Sequence, residues 1–411
     1  MNHIPTHDLV VYGATGFVGR IITRYLIKLN GSRNDIKWAI AGRSKAKLEQ
    51  LKKELGPGAR NLPVIIADAQ NTSALEKMCA QTRVVISTVG PYAIHGEPLI
   101  KTCVTSGTDY CDLTGEIQWI HSMIQRYEAT AEKSGARIVH CCGFDSIPSD
   151  IGVFFLQQQS LARYGKFCSN VNMRVKKVKG SFSGGTIASM INTVKEGRND
   201  ARIRKVLTNP YSLCPLNGSP RPHQKSVTTA FYDDAFGSWT APFIMAIINE
   251  HVVQRSNALL NPKYSDAFIY NEGMLTGPGS KGRRRAKGMS LSSAFFVSSL
   301  LFPPVRWLLE RFILPRSGQG PSRKAQRNGF YDILFLGETE DGNLLKVKVS
   351  GDQDPGYGST AKMLGQAGIC LTMDISKQDK PGGFWTPATI FGSKLIDRLR
   401  LHAGLSFDVV E

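Results

Sequence analysis

The first 145 residues alternate short β-branched runs with segments of helical periodicity. This alternation is typical of a parallel sheet whose strands are joined by crossover helices. The pattern predicts strands at Leu9–Tyr12, Lys37–Ala41, Pro63–Ala67, Arg83–Thr88, Asp109–Asp112 and Arg137–Cys141. It predicts helices at Gly16–Leu29, Lys45–Leu55, Ala74–Cys79, Glu97–Ser106 and Ile120–Ser134. Six strands with intervening helices make a doubly wound α/β sheet of the Rossmann type.

Beyond residue 150 the pattern becomes a mixture of strands, helices and loops. Strands are predicted at Val171–Val178, Phe330–Gly337, Leu344–Gly351 and Leu405–Val410, and helices at Gly185–Glu196, Tyr357–Met373 and Ala388–His402. Gly277–Gly288 and Arg316–Gly329, rich in Gly, Ser and Arg, predict weakly structured loops. We therefore expect a Rossmann domain over 1–150, an inserted α+β domain for substrate binding or dimerisation over 151–350, and a C-terminal helical segment over 351–411 that returns to the first domain.

Positive charge is concentrated in the middle of the chain. The 411 residues carry a net charge of +18, and residues 151–330 hold 26 Lys or Arg against 8 Asp or Glu. No zinc finger, RNA-recognition signature or long basic helix accompanies this excess, so we expect no nucleic-acid partner. Five cations between Lys281 and Lys287 instead precede an apolar stretch, Leu291–Leu314. Within 277–315 this arrangement favours contact with an anionic membrane surface, and the alternative is a loop beside a buried helix or a homodimer interface.

The stretch itself does not predict a membrane-spanning helix. Eighteen consecutive uncharged residues separate Lys287 from Arg306, but serines and Pro303-Pro304 interrupt them. Eight cysteines without CxxC or zinc spacing, and a start without a signal-peptide pattern, predict a reduced cytoplasmic protein with no metal site. Peripheral attachment to the cytoplasmic face of the plasma membrane is compatible with this prediction.

A glycine-rich turn directly follows the first predicted strand. In a dinucleotide site one glycine makes the tight turn, a second lets the backbone approach the pyrophosphate, and a third allows the following helix to pack closely. The helix N-terminus then offers N–H groups to the phosphates. The residues expected to hold the dinucleotide here are Gly13, Ala14, Thr15, Gly16, Phe17 and Val18, followed by Gly19 in GxxGxxG spacing.

The end of the second strand selects the cofactor. An NAD site usually carries an acid there for the ribose 2′-hydroxyl, whereas this chain has Gly42, Arg43 and Ser44. Because a guanidinium and a hydroxyl suit a 2′-phosphate, NADP is predicted, although Arg43 could also be an ordinary exposed residue. Asp68 follows the third strand and is expected at the adenine edge.

The fourth strand ends at the crevice where nicotinamide normally lies. Thr88, Val89, Gly90 and Pro91 are expected to line it, and they would equally suit a plain tight turn. None of the twelve tyrosines has a lysine four residues later. The Tyr–Lys chemistry of short-chain dehydrogenases is thereby excluded, and hydride transfer requires only that the protein orient the cofactor.

Several motifs resemble those of the saccharopine dehydrogenase-like oxidoreductases. The glycine turn, Ala41–Ser44 and Ser87–Tyr92 are joined in this by Gly96–Pro98, Asp109–Glu116 and Cys142–Asp150. Ser183–Thr186, Asp354–Gly358 and the residues around Gly382-Gly383 and Thr386–Ala388 resemble the bacterial branch of trans-acting enoyl reductases. This resemblance covers nearly the whole chain and is weakest from Leu207 to Asn328. It implies an NADP-type Rossmann domain, a second α/β domain and reduction of an enoyl intermediate in complex-lipid, glycolipid or polyketide assembly.

Acidic and phenolic side chains follow the carboxyl ends of the predicted strands. Enoyl reduction needs a hydride at the β-carbon, a proton at the α-carbon and a donor to the carbonyl. Tyr92 is the first candidate for that donor, with Glu116 and Asp145 next, while Asp145 could instead cap the helix near Pro148. The resulting prediction is an NADP-dependent enoyl reductase acting on a lipid- or polyketide-linked substrate. An imine or amino-acid reductase and a non-catalytic NADPH-binding membrane protein are the alternatives.

Overall fold

The computed structural model describes residues 5–30, 35–180, 184–215, 221–312 and 320–410. Its strands are β1 (His7–Tyr12), β2 (Trp38–Gly42), β3 (Val64–Ile66), β4 (Thr82–Ser87), β5 (Asp109–Asp112), β6 (Arg137–Val139), β7 (Cys168–Lys179), β8 (Phe231–Asp233), β9 (Ser238–Pro242), β10 (Ile269–Gly277), β11 (Phe330–Thr339), β12 (Leu344–Gly351), β13 (Gly383–Trp385) and β14 (Leu405–Val410). Ser183, the first residue of one motif described above, lies outside the described ranges.

The helices are α1 (Phe17–Asn30), α2 (Lys45–Leu55), α3 (Thr72–Ala80), α4 (Tyr92–His95), α5 (Glu97–Ser106), α6 (Ile117–Ser134), α7 (Ile147–Tyr164), α8 (Gly184–Asn199), α9 (Ala201–Thr208), α10 (Ala246–Leu259), α11 (Gly279–Leu301), α12 (Pro303–Phe312), α13 (Arg323–Arg327), α14 (Thr360–Met373) and α15 (Pro387–Arg398). Short 3₁₀ or π turns occur at Pro57–Ala59, Asp234–Phe236, Pro355–Ser359 and Leu399–Ala403.

The first sheet is parallel and doubly wound, with strand order β13-β6-β5-β4-β1-β2-β3. Its central strands are buried on both faces, which explains why they read as nearly continuous β-branched runs. The order of connection reverses between β1 and β4, so the carboxyl ends of these strands border the switch-point crevice. The predicted Rossmann fold is confirmed, and all six predicted strands are present.

The second sheet is mixed, with order β14-β12-β11-β7-β10-β9-β8. Strands β7 and β10 are parallel, and the other pairs are antiparallel. The predicted strands Phe330–Gly337 and Leu344–Gly351 are present as β11 and β12, which form a hairpin. Asp341-Gly342 supplies its turn, where Gly342 has a φ of 82°. Helix α7 packs on this sheet so closely that a Cβ on Gly152 would lie 2.5 Å from the Phe335 ring.

The C-terminal residues contribute to both sheets. Helix α14 lies against the first sheet, where a Cβ on Gly368 would come within 2.5 Å of Ile86. Strand β13 extends that sheet beside β6, and β14 pairs with β12 in the second sheet. Strand β13 was not predicted from the sequence because three residues are too short for a periodic pattern. The segment 351–411 therefore contains two strands in addition to its helices.

The prediction of a weakly structured loop over Gly277–Gly288 is wrong. These residues end β10 and form the first turns of α11. The small residues that suggested a loop are required by packing: Gly282 and Ala286 are buried, and a Cβ on Gly282 would lie 1.9 Å from the Gly277 oxygen. Thr276 also donates a 2.9 Å hydrogen bond to the Gly282 carbonyl. Close packing against β9 and β10 thus overrides the low helix propensity of glycine.

None of the described helices is both long enough and apolar enough to cross a membrane.

Candidate active site

The glycine turn joins β1 to α1 at the switch-point crevice. Gly13 adopts a φ of 84°, and a Cβ there would lie 2.7 Å from Thr88 Oγ1 and 2.8 Å from Val89 Cγ2. A Cβ on Gly19 would lie 2.2 Å from the Gly13 oxygen. Both positions therefore require glycine, one for its backbone conformation and one for the close approach of α1. The exposed Gly16 leaves the turn open to a ligand at the N-terminus of α1.

The other predicted residues of the turn have distinct environments. Ala14 is fully buried, and its N–H donates to the Ala41 carbonyl. Thr15 accepts a 3.0 Å hydrogen bond from Arg20 Nε through its carbonyl. Phe17 contacts the ring of Tyr357 edge to face at 4.7 Å between ring centroids, and Val18 lines the adjacent cavity. The turn thus combines a buried anchor with side chains that face the crevice.

The end of β2 carries an exposed cationic cluster. Arg43 is exposed, and within the described ranges no carboxylate pairs with it. Ser44 is the N-cap of α2, where its Oγ accepts from the Lys47 N–H at 3.4 Å, and the hydroxyl hydrogen remains available to a ligand. Gly42 packs against Leu48 beneath them. This group fits a 2′-phosphate, because a free guanidinium, a hydroxyl and a helix N-terminus all favour an anion.

Asp68 and the residues after β4 complete the rim. The Asp68 Oδ1 accepts from the Gln70 N–H at 3.0 Å and so stabilises the turn after β3. The Thr88 hydroxyl donates to the Tyr12 and Gly13 carbonyls at 3.1 Å, which ties β4 to the glycine turn. Val89 lies against the Gly13 Cα, while Gly90 and Pro91 lead into α4. The structure therefore brings all the predicted cofactor residues to one edge of the sheet.

A cavity of about 590 Å³ opens at this edge, between the glycine turn and α8, α9 and α11. Its walls include Gly16, Thr88 and Gly90 from the first domain. The remaining walls are largely apolar, with Met190, Val194, Leu207, Ile244, Met245, Ile247, Ile248, Val297 and Leu301 among them. Clefts of this size and lining are typical of small-molecule sites.

Glu116 is buried behind the cavity wall, next to the lining residues Gly115 and Ile117, and its carboxylate is already occupied. Its Oε1 accepts from the Tyr92 N–H at 2.8 Å and from Ser189 Oγ at 2.7 Å, and its Oε2 accepts from the Ala93 N–H at 3.0 Å. Burial raises the pKa of this carboxyl above its ordinary value, while the three donors oppose the rise. Glu116 thus holds the N-terminus of α4 in place and joins it to α8.

Tyr92 lines the cavity with its ring, which lies 5.5 Å from the Trp119 ring between centroids. Its hydroxyl donates a 3.0 Å hydrogen bond to the Ser87 carbonyl. Burial, reinforced by Asp112, raises the pKa of this phenol well above its usual range. The proton of Tyr92 is therefore directed into the protein rather than toward the cavity.

Asp145 lies in the loop between β6 and α7 and faces the same cavity. Within the described part of the chain no side chain or N–H group donates to its carboxyl, and Ser146 occupies the N-cap position of α7. Burial alone raises the pKa of Asp145 from 3.8 to about 7. Among the described lining residues it carries the only carboxyl group, so at neutral pH the cavity contains an acid that can still hold a proton.

Sequence reasoning missed several groups that meet here because they come from distant elements. Tyr357 belongs to the Asp354–Gly358 motif and Ser189 to the predicted helix Gly185–Glu196, but neither was given a role. Arg198 and Arg204 also line the cavity, and nothing in the local pattern distinguished them from the other cations of the basic middle region. Their positions depend on how α8 and α9 pack across the crevice.

Comparisons with known proteins agree with this geometry. Residues 9–139 match the saccharopine dehydrogenase NADP-binding domain. A provisionally named trans-acting enoyl reductase of Mycobacterium tuberculosis is 38% identical over 401 residues, which cover 95% of each chain. Trans-acting enoyl reductases of Mycobacterium bovis and Mycobacterium leprae are 34% identical over 402 residues, also 95% of each chain. The apo saccharopine dehydrogenase of Saccharomyces cerevisiae shares the fold, with a TM-score of 0.52 at 13% identity over 98% of this chain and 100% of that one.

Proposed function

The chain belongs to the saccharopine dehydrogenase-like oxidoreductases, in the branch of the trans-acting enoyl reductases, and we propose that this NADP-dependent oxidoreductase reduces the double bond of a lipid- or polyketide-linked enoyl group. The observation that carries the proposal is a protonatable carboxyl, that of Asp145, to which no described residue donates and which faces an apolar cavity beside the dinucleotide turn. An apolar cavity suits an acyl chain, and enoyl reduction needs one proton donor there.

We assign the cofactor to the residues that line the edge of the first sheet. The backbone from Gly13 to Val18 would hold the pyrophosphate, Arg43 and Ser44 the 2′-phosphate, and Asp68 the adenine edge. The residues from Thr88 to Pro91 would border the nicotinamide. When bound, NADPH supplies the hydride that the β-carbon receives.

Asp145 is our choice for the proton donor to the α-carbon. Its carboxyl is open to the cavity, whereas the Tyr92 hydroxyl and the Glu116 carboxylate are already engaged. In the reaction the Asp145 O–H bond breaks as the α C–H bond forms, and the carboxylate regains a proton from solvent between turnovers. Tyr92 and Glu116 act as positioning residues, because Tyr92 forms part of the cavity wall and Glu116 fixes α4 against α8.

The test is NADPH oxidation with dodec-2-enoyl thioesters, on CoA and on a carrier protein, compared with imine substrates of the saccharopine type. We expect turnover with enoyl thioesters only. Turnover with the imines would favour the amino-acid reductase, and cofactor binding without turnover on either panel would favour a non-catalytic NADPH-binding protein. Lipid mass spectrometry of a deletion strain should show a species that carries one extra double bond.

We further propose that α11 attaches the enzyme peripherally to an anionic membrane, at the cytoplasmic face of the plasma membrane. Helical spacing places Arg284, Lys287, Leu291 and Phe295 on one stripe, and all four are exposed, the last two by 72% and 73%. The stripe is cationic in its first half and apolar in its second. Cations beside exposed apolar side chains are complementary to an anionic bilayer, at about 1 kcal/mol for each cation near the surface.

Vesicle flotation tests this attachment with phosphatidylcholine alone and with added phosphatidylglycerol. The variant Arg284→Ala/Arg285→Ala/Lys287→Ala should lose at least about tenfold in binding to the anionic vesicles. Arg283 is left intact because its guanidinium lies 5.5 Å above the Trp239 ring. A matched control removes three exposed cations from the first domain, Arg60, Lys77 and Lys101. Binding that ignores the anionic lipid would defeat the proposal, and a concentration-dependent dimer disrupted by Phe295→Ser would assign the stripe to a homodimer interface.

A further inference from the structure

Two guanidinium groups lie at the mouth of the cavity, where α8 ends and α9 begins. Arg204 Nη1 donates to the carbonyls of Gly197 and Arg198 at 3.1 and 2.9 Å, and Arg198 Nη1 donates to the Leu301 carbonyl at 2.8 Å. Both side chains line the cavity and both residues are exposed. The partners described for them are neutral carbonyl oxygens, so these bonds position the two cations without neutralising their charge.

The two nearest acids in the sequence, Glu196 and Asp200, are already used elsewhere. Glu196 accepts from Gln118 Nε2 at 2.9 Å and from Asn192 Nδ2 at 3.0 Å. Asp200 accepts from Arg202 Nη2 at 2.9 Å and from the Arg202 N–H at 2.7 Å. Among the described residues that line the cavity, the single carboxyl belongs to Asp145, which lies beside Gly115 on the opposite wall. The described mouth of the cavity is therefore cationic, and no carboxylate among the described lining residues there competes with an anion.

Helix α8 connects this mouth to the inner end of the cavity. Ser189 donates to Glu116 near Tyr92, and Arg198 lies nine residues further along the same helix. At a rise of 1.5 Å per residue this separation is roughly 13 Å. Met190 and Val194 lie on the cavity side of α8 between these two points, and Leu207, Val297 and Leu301 lie opposite them. The cavity thus has the Asp145 carboxyl on one wall, apolar side chains along α8 and two cations at its mouth.

We propose that Arg198 and Arg204 form a phosphate subsite, so that the substrate is an amphiphile whose apolar chain fills the cavity and whose phosphate is held at the mouth. The inference rests on the proposed reductase function and adds the chemical class of the substrate. Paired guanidinium groups suit phosphate because their N–H donors match its oxygens. The phosphate could belong to a lipid headgroup or to the phosphopantetheine arm of a carrier, since both chemistries join a phosphate to an uncharged chain.

Equilibrium binding tests the subsite without any turnover. Dodecyl phosphate and the uncharged dodecyl maltoside are titrated below their micelle concentrations into wild type, Arg198→Gln/Arg204→Gln and Arg202→Gln. Arg202 is the matched control, because it lies between the two residues but pairs with Asp200 and does not line the cavity. We expect the double variant to bind dodecyl phosphate at least tenfold more weakly, which corresponds to about 1.4 kcal/mol. Arg202→Gln should stay within about twofold of wild type, and maltoside binding should be unchanged in all three proteins.

Two further measurements make every outcome decisive. Should the double variant fail to fold, the salt dependence of wild type answers the same question: added salt must weaken dodecyl phosphate binding and leave maltoside binding unchanged. NADPH affinity is measured on every protein. Equal dodecyl phosphate affinity in wild type and the double variant would overturn the proposal. A double variant that binds NADPH more weakly but dodecyl phosphate normally would overturn it too. If wild type binds dodecyl phosphate through these arginines but does not reduce enoyl thioesters, the reductase function is wrong and the phosphate subsite stands.

The two sources of phosphate are separated by competition. Dodecenoyl-phosphopantetheine represents the carrier arm, and phosphatidylcholine vesicles doped with phosphatidic acid represent the lipid headgroup. The competitor that displaces dodecyl phosphate from wild type identifies the source of the phosphate. The same competitor should displace no dodecyl phosphate from the Arg198→Gln/Arg204→Gln protein. Displacement by neither would overturn the assignment of a phosphate-bearing substrate.

Discussion

Replacement of Asp145 by Asn should raise the stability of this protein at alkaline pH and lower its activity. Burial raises the pKa of this carboxyl from 3.8 to about 7. A shift of that size corresponds to roughly 4 kcal/mol between the two protonation states. Because the carboxyl faces an open cavity, solvent screens part of this cost, and we expect about 1–3 kcal/mol to be measurable.

The direction of the pH dependence follows from the raised pKa. The folded protein keeps the Asp145 proton up to a higher pH than the unfolded chain does, so wild type loses stability as the pH rises from about 4 to about 7. Asn cannot ionise and avoids this loss. We therefore expect Asp145→Asn to be more stable than wild type at pH 8 by about 1–3 kcal/mol, and the difference to disappear below about pH 4.

Activity should change in the opposite direction. An amide cannot supply the proton, so kcat should fall by about 10²-fold or more. Wild-type kcat should decline above about pH 7 as the acid ionises, and the residual activity of the variant should lack that decline. The assays are urea unfolding at both pH values and NADPH oxidation with an enoyl thioester. Equal stability of the two proteins at pH 8, or kcat within about threefold of wild type, would refute the reasoning.

Three other substitutions probe the site. In fluorescence titrations Arg43→Ala should weaken NADPH binding by about 10- to 100-fold and leave the affinity for NADH unchanged, because it removes charge-assisted hydrogen bonds to the 2′-phosphate. Equal losses of affinity for both cofactors would contradict that role. Gly13→Ala should destabilise the fold by at least about 1–2 kcal/mol in urea unfolding, since it forces a Cβ into the left-handed region and against Thr88. Glu116→Gln should lower the melting temperature, because the single amide oxygen must replace two carboxylate oxygens that accept from three donors. Turnover per folded molecule should stay within about threefold of wild type. A loss of turnover without a loss of stability would instead assign Glu116 the role of an acid.

The predictable part of the site consists of residues that act through the backbone or through their position beside a strand. The glycine turn, Arg43 and Thr88 were found because a phosphate-binding turn places its parts at fixed offsets from β1, β2 and β4. The choice among Tyr92, Glu116 and Asp145 could not be made in this way. All three follow strand ends, and they differ in which neighbours use their polar atoms: Ser87 for the first, Ser189 and α4 for the second, and no described donor for the third.

In the basic middle region, too, some features are visible in the sequence and others are decided only by packing. Its charge and the adjacent apolar stretch are visible in the sequence, but Gly277–Gly288 was expected to be a loop and instead begins α11. Only the packing of Gly282 against the end of β10 reveals a helix, with Arg284, Lys287 and Leu291 on one exposed stripe. The positions of Arg198 and Arg204 at the cavity likewise depend on how α8 and α9 pack along it.

The sequence by itself determined the Rossmann fold, the position of the dinucleotide turn and the preference for NADP, because these depend on periodicity and on spacing within a few residues. The tertiary structure decided which candidate carboxyl faces the cavity with no described donor, which glycine-rich segment becomes a helix and which cations face the cavity. Those properties depend on burial and on hydrogen-bond partners brought together from distant parts of the chain, such as Ser189 beside Glu116, and no local pattern encodes them.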